Sequence, residues 1–179
     1  VWEAVAEESG QPSPFHSHDW FACCWNAALP DRQPEALVVE DAAGPMGLVP
    51  LVRWKGDLHG VPARFVGLLH APDTPFADWL SVGPPEPIID AVMKDLARRE
   101  DWDVLALTGL PATSVTVKAL EAWLPGRFRW HQTGVLRSPT LVVSGTWDDF
   151  WAGKSQRFKK TSRNVANRLA KAGVVTVEE

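Results

Sequence analysis

The sequence predicts an α+β fold, a layered mixed sheet (largely antiparallel) flanked by helices, and three observations carry that expectation. Two β-rich runs flank the turn residues Asp41-Ala-Ala-Gly44-Pro45, the pattern of an antiparallel hairpin. Two other segments repeat apolar residues at helical spacing: Phe21, Cys24, Trp25 and Ala28, and then Ile88, Ile89, Val92, Met93 and Leu96. Finally, the short apolar run Asp103–Leu107 stands between helix-like segments, as a strand in a helix-covered layer does.

Taken in order, Trp2–Glu8 is a short helix and Gln11-Pro12-Ser13-Pro14 a linker. Ser17 is an N-cap for a helix over Ser17–Leu29, with Asp19 in the first turn where the helix dipole favours a negative charge. Ala36–Glu40 and Met46–Lys55 are the hairpin strands, and Pro50 removes a ladder donor from the second, which marks it as an edge or a bulge. Gly56-Asp57 and Gly60 turn the chain into Ala63–Leu69, a third strand; His70–Pro75 is a loop and Phe76–Val82 a fourth strand. Gly83-Pro84-Pro85 opens a helix over Pro85–Arg99, with Arg98 and Arg99 at the negative end of its dipole. Asp103–Leu107 reads as a central strand, and Thr113–Leu124 as a helix stopped by Pro125-Gly126. Arg127–Arg137 and Thr140–Val143 supply the last strands, for a sheet of about six or seven.

Residues 146–179 read differently from residues 1–145. Thr146 with Asp149 three residues on is a capping-box variant opening a helix over Trp147–Trp151. A basic helix follows, with Phe158, Ser162, Val165, Leu169 and Ala172 on one stripe and Arg157, Lys160, Asn164, Arg168 and Lys171 on another. Gly173 stops it, and Val174–Val177 is a new strand. Phe150 to Val177 holds seven Lys/Arg and no Asp/Glu, leaving eleven basic and twenty-two acidic residues elsewhere. The expected organisation is a first domain over 1–145, then a linking helix and the first strand of a second domain over 146–179. The chain opens at Val1 rather than Met and closes on Glu178-Glu179 without a cap, so it reads as the first part of a longer protein. An apolar strand such as 174–177 without a partner would pair with the sheet or with another copy of the chain.

Composition bounds the function classes. With 179 residues, 45% hydrophobic and 22% charged, the chain can build one domain with a proper core. A net charge of −4 excludes affinity of the chain as a whole for nucleic acid or membranes and confines any such affinity to the basic helix. No apolar run approaches a membrane span, and Val1–Gly10 carries acidic residues where a signal peptide needs basic ones. Cys23 and Cys24 are the only cysteines and are adjacent, so there is no disulfide framework. The expected location is cytoplasmic, with no membrane partner.

Most chemical signatures are missing. The chain has no G-x-S-x-G elbow, no phosphate-binding loop of the Walker type, no G-x-G-x-x-G and no C-x-x-C. Gly44 and Gly47, in the hairpin turn, answer to a need for positive φ. His16 and His18 read as polar residues at a helix entry rather than as a metal pair, because no carboxylate cluster completes a ligand set, and no metal site is expected. Cys24 lies on the apolar helix face, and Cys23 has no identifiable base. The best polar cluster is His70, Asp73 and Asp78, following a strand on a loop with Pro72 and Pro75. These three are the candidate catalytic residues; Asp73 and Asp78, with Trp79, are the candidate substrate-binding residues. A carboxylate there could act as general base for an amine or bind a cationic group, while Asp73 beside Pro72 is also ordinary turn chemistry. Arg157, Lys160, Arg163, Arg168 and Lys171 are candidate anion-binding residues for the phosphates of a nucleotide, a coenzyme or tRNA. They fit equally a solvated helix face, or a surface that meets acidic residues.

Several of these short motifs, in this order, resemble the cellulose-biosynthesis-associated acetyltransferase-like proteins of the GNAT superfamily, relatives of the Fem-type aminoacyl transferases. The likeness rests on Pro14-Phe15-His-Ser17 with Trp20, Leu48-Val-Pro50-Leu51, Phe65-Val-Gly67 followed by Asp73 and Asp78, and Asp103–Leu107 with Leu110-Pro111. It continues in Trp147-Asp148-Asp149-Phe150-Trp151 through Arg163-Asn164 to Arg168–Gly173. The resemblance implies a GNAT-like first domain of a tandem pair, in a protein that transfers an acyl or aminoacyl group to an amine. It further implies that the other domain holds the donor, acyl-coenzyme A or aminoacyl-tRNA, so that this chain binds no cofactor and His70–Asp78 shapes the acceptor groove. The implied partner is that second domain, with tRNA the only nucleic acid in view. The rival expectation is a non-catalytic binding module that uses the basic helix on an anionic partner or nucleic acid. The family's donor loop holds a pyrophosphate on backbone N–H groups, whereas Ser81-Val-Gly83-Pro84-Pro85-Glu86 stands at the equivalent junction here. Two prolines remove donors and Glu86 repels phosphate, so no coenzyme A is expected at Val82–Glu86.

Overall fold

Strand β2 (Gly44–Leu58) organises the domain because its residues 47–52 are buried and alternate between two apolar layers. The computed structural model describes residues 1–173 except 12, 72, 73, 138, 140, 141 and 143. Over Val1–Leu136 the described elements are α1 (Trp2–Glu8), a 3-10 turn (Pro14–His16), α2 (His18–Asn26), β1 (Gln33–Asp41), β2, β3 (Val61–Leu68), β4 (Leu80–Ser81), α3 (Glu86–Arg98), β5 (Val104–Ala106) and α4 (Val115–Trp123). The fold is α+β, with five strands in one sheet ordered β1-β2-β3-β5 and β4 also paired to β2. β1, β3 and β4 run antiparallel to β2, and β5 runs parallel to β3.

Alternation along β2 sorts the helices. Val49 and Leu51 point into the main core with Val66, Leu68 and Trp79, where α3 contributes Ile88, Ile89, Val92, Met93 and Leu96, and α4 contributes Ala119 and Leu120. Leu48 meets Val5 of α1 and Leu80, while Val52 meets Cys24 of α2 and Leu69, on the opposite face. Each large side chain so buried contributes about 1.5–3 kcal/mol, so the sheet holds helices on both faces by the same mechanism. Gly47 is an ordinary strand residue, not a turn glycine: a Cβ there would stand 2.8 Å from Ile88, so its smallness lets α3 pack on the backbone. Gly44 does have the expected positive φ, 135°.

Pro50 marks neither an edge nor a bulge: β2 pairs with β1 on one side and with β3 and β4 on the other, and the register shift against β1 lies at Val39/Glu40. The Pro50 carbonyl accepts from the N–H of Leu69 at 3.0 Å, and in an antiparallel strand a residue's N–H and C=O point the same way. The donor that proline lacks is therefore missing on the β3 side, where that strand ends at Leu68, and the β1 ladder is intact. A proline is tolerated in a central strand because the sheet divides at that point. Conversely β5, expected to be central, is the sheet's edge beyond β3.

Three expected strands differ. Phe76–Val82 contributes only Leu80–Ser81, because Ala77 N–H is taken by the Gly109 carbonyl at 3.0 Å and the segment is tied to that loop instead. Arg127–Arg137 forms no strand; Val135 and Leu136 stand exposed, β-prone residues without a neighbouring ladder. Of Thr140–Val143, only Val142 is described and it is not in a strand. Among the described residues the sheet has five strands, where six or seven are expected.

Residues Arg137–Glu179 form a separate unit with α5 (Trp147–Ala152) and α6 (Gln156–Ala172). The Thr146 hydroxyl accepts from Asp149 N–H at 3.2 Å, and the Asp149 carboxylate accepts from Thr146 N–H at 3.0 Å, the reciprocal cap expected from the sequence. Those Thr146 hydrogen bonds hold the Asp149 carboxyl below its ordinary range. Trp147 stacks on Phe150 and Trp151, and Trp151 meets Phe158 edge-on. Ser155 caps α6 by accepting from Phe158 N–H. The expected strand Val174–Val177 lies outside the described residues.

Candidate functional site

Where β3 leaves β2, β4 takes its place on the same edge. β3 pairs with β2 as far as Leu68 opposite Leu51, and β4 resumes with Leu80 opposite Leu48. Between them the chain leaves the sheet and returns, anchored by Ala77 N–H on the Gly109 carbonyl. Thr74 anchors the excursion too: its hydroxyl accepts from Ala71 N–H at 3.0 Å. At this division lies a cavity of ≈ 20 Å³. That is room for one group about the size of a water molecule.

The cavity's walls come from parts of the chain far apart in sequence. Pro50, Leu69, Thr74, Ala77, Asp78 and Leu80 form the sheet side, and Trp2, Phe15, His16, Trp20 and Phe21 the helix side. Two serines aim the helix side: Ser13 accepts from Phe15 N–H and caps the 3-10 turn, and Ser17 accepts from Trp20 N–H and caps α2. Trp2 donates its indole N–H to the His16 carbonyl at 2.9 Å and stacks on Phe21, with ring centroids 4.3 Å apart. Phe15 packs edge-on to Trp20 and to Phe76. The rings thus hold one another, so the wall is set before anything enters.

Two polar side chains in this wall, His16 and Asp78, are buried, and Trp20 buries its indole N–H there. His16 is 8% exposed, and its Nδ1 lies 3.1 Å from the Gln11 carbonyl oxygen. A carbonyl only accepts, so Nδ1 carries the proton and Nε2 presents a lone pair, for which the described residues offer no partner. The Trp20 indole N–H is likewise buried without a partner. Asp78 is 5% exposed; one carboxylate oxygen accepts from Trp79 N–H at 2.8 Å, and none of the ion pairs among the described residues involves it. A buried carboxylate without a cation is costly, since the lost hydration is not replaced.

The sequence cluster is therefore only partly assembled. Asp78 lines the cavity. His70 does not: its Nδ1 faces the Ala71 carbonyl at 3.1 Å and its Nε2 meets the Thr108 hydroxyl at 3.1 Å, so both nitrogens are engaged on the loop. Asp73 lies outside the described residues. Trp79 is 1% exposed and belongs to the main core against α3, where it cannot meet a substrate. His16 and Trp20, outside the polar cluster of the sequence, join Asp78 at the cavity. Their sequence signals are the aromatic density of Phe15, Trp20 and Phe21 around a histidine and the motif Pro14-Phe15-His-Ser17 with Trp20.

Two further sites bear on cofactors. At the start of α3, Pro85 is the N-cap without a side-chain cap, Glu86 follows, and Pro87 removes another first-turn donor. With Pro84, three prolines surround a helix start that would otherwise present N–H groups to a phosphate. On α6, Arg157, Lys160, Arg163, Arg168 and Lys171 are all exposed, and among the described residues none forms an ion pair. Phe158, Val165 and Leu169 of the same helix are also about half exposed. Among the described residues, no group of three His, Cys, Asp or Glu side chains is placed to hold a metal ion. No helix among them is long and apolar enough to cross a membrane. In comparisons with known proteins, no family model, no curated protein and no solved structure matches this chain.

Proposed function

We propose that the first unit, Val1–Leu136, is the acceptor-binding domain of a cytoplasmic N-acyltransferase or aminoacyl transferase, GNAT-like in kind, whose donor is held by another domain. One observation supports this most: Phe15 and Trp20, Pro50 and Asp78, from three motifs of the resemblance, line a single cavity at the division of the sheet. In the proposed reaction an amine nitrogen attacks the acyl carbonyl, the new C–N bond forms, and the thioester or ester bond to the donor breaks. The proton lost by the amine passes to a base, and His16, whose Nδ1–H donates to the Gln11 carbonyl, offers Nε2 for it. The three prolines around the start of α3 fit a domain that leaves the donor pyrophosphate to another site.

The test uses the full natural protein, supplied with acetyl-coenzyme A or with aminoacyl-tRNA and a library of amines, with N-acylated products read by mass spectrometry. Product formation that is lost in His16→Ala, with the fold retained by circular dichroism, is the expected result. No product with either donor would contradict the proposal. The exposed basic face of α6 supports a second reading, a module that grips an anionic partner such as tRNA. Binding by this chain alone that weakens steeply with salt would favour that reading.

A further inference from the structure

We infer that the cavity at the division of the sheet is a subsite for a small primary ammonium group, paired to Asp78 and enclosed by aromatic rings. The inference rests on the acceptor-domain reading for its biological sense but on separate observations for its chemistry. Asp78 is 5% exposed and lines the cavity. Every Lys and Arg of the chain lies among the described residues, and none pairs with it. The chain therefore buries a carboxyl group that none of its own basic side chains meets.

The surrounding walls favour a positive charge over a neutral group. Trp2, Phe15, Trp20 and Phe21 line the helix side of the cavity, across from Asp78, and aromatic rings attract cations. His16 adds an acceptor, since its protonated nitrogen is spent on Gln11 and Nε2 is bare. An ammonium group brings donors for two acceptors, Asp78 and His16, and a charge for the rings. The ≈ 20 Å³ volume limits what enters to the –NH₃⁺ head, leaving the rest of the molecule outside. A quaternary ammonium is too large, and a carboxylate or phosphate, although the unpartnered Trp20 indole N–H could donate to it, would be repelled by Asp78.

Intrinsic tryptophan fluorescence reads the site directly, because Trp2 and Trp20 form its wall. The chain is titrated with ethylammonium chloride, and in parallel with ethanol, tetramethylammonium chloride and sodium chloride. The expected result is a saturable change with ethylammonium alone. Asp78→Asn, which keeps shape and removes charge, weakens that binding at least tenfold, while Trp20→Phe changes it less than about threefold. Circular dichroism and the melting temperature establish that each variant is folded; if Asp78→Asn does not fold, the ethanol and tetramethylammonium arms decide alone. Ethanol binding as well as ethylammonium would overturn the inference, as would binding unchanged in a folded Asp78→Asn. Ammonium binding without any acyl transfer by the natural protein would leave this subsite standing and remove only the transferase reading. Transfer that persists unchanged in Asp78→Asn would do the reverse.

Discussion

The two units of this chain treat charge in opposite ways. In residues 1–136 a carboxylate, Asp78, is buried beside a cavity without a cation. On α6, five cations stand exposed without a carboxylate among the described residues. Solvation makes the second arrangement cheap, because exposed Lys and Arg keep their water and need no partner. Burial makes the first expensive, and an expensive arrangement that the fold retains is the better pointer to a ligand. Counting basic residues on a helix therefore says less about function than locating one unneutralised buried acid.

The same contrast governs stability, and the largest effect tests it. Trp79→Ala empties a fully buried site between the sheet and α3 and is expected to cost about 3–5 kcal/mol in urea unfolding. Leu169→Ala on α6, where the side chain is half exposed, is expected to cost under about 1 kcal/mol. A large loss from Leu169→Ala would show that the stripe is covered in solution and would break the contrast. Next in size is Gly67→Ala. A Cβ there would stand 2.6 Å from the Ala106 carbonyl and 2.9 Å from Trp54 Cη2, and backbone cannot yield as a flexible side chain does. Loss of about 1–3 kcal/mol, with β5 loosened in hydrogen exchange, is the expected outcome.

These effects show what could be read from the residues. The helix over 86–98 was legible because five apolar residues recur on one face, and all five are buried. The hairpin and the cap at Thr146 were legible because their turn and cap chemistry is local. The division of the sheet was not legible, because it depends on where β3 stops pairing and Pro50 signals only that a donor is missing. The site followed the same rule. Asp78 was found through its loop, whereas His16 and Trp20 join it only after α2 folds against the far face of β2. Trp79, adjacent to Asp78 in sequence and a candidate substrate-binding residue there, is buried in the main core with α3 instead.

Smaller effects sharpen the electrostatic side. Thr146→Ala removes the reciprocal cap and is expected to destabilise α5 by about 1 kcal/mol, read as faster amide exchange over 147–152. The least is a pH effect. Asp103 accepts from the Arg64 guanidinium and backbone N–H, which lowers its carboxyl from 3.8 to about 2. A carboxyl lowered in the folded state stabilises the fold above its unfolded value and loses that contribution as pH falls. The melting temperature should therefore drop between pH 4 and 2, and Asp103→Asn should flatten that drop slightly, the pair being exposed.

The measurement closest to the central claim is an amide and indole chemical-shift map of the labelled chain as ethylammonium is added. The account predicts shifts concentrated at the Trp20 and Trp2 indoles and the amides of Phe15, His16 and Asp78, with α6 unchanged. Shifts spread over α6, or none at the cavity, would contradict it.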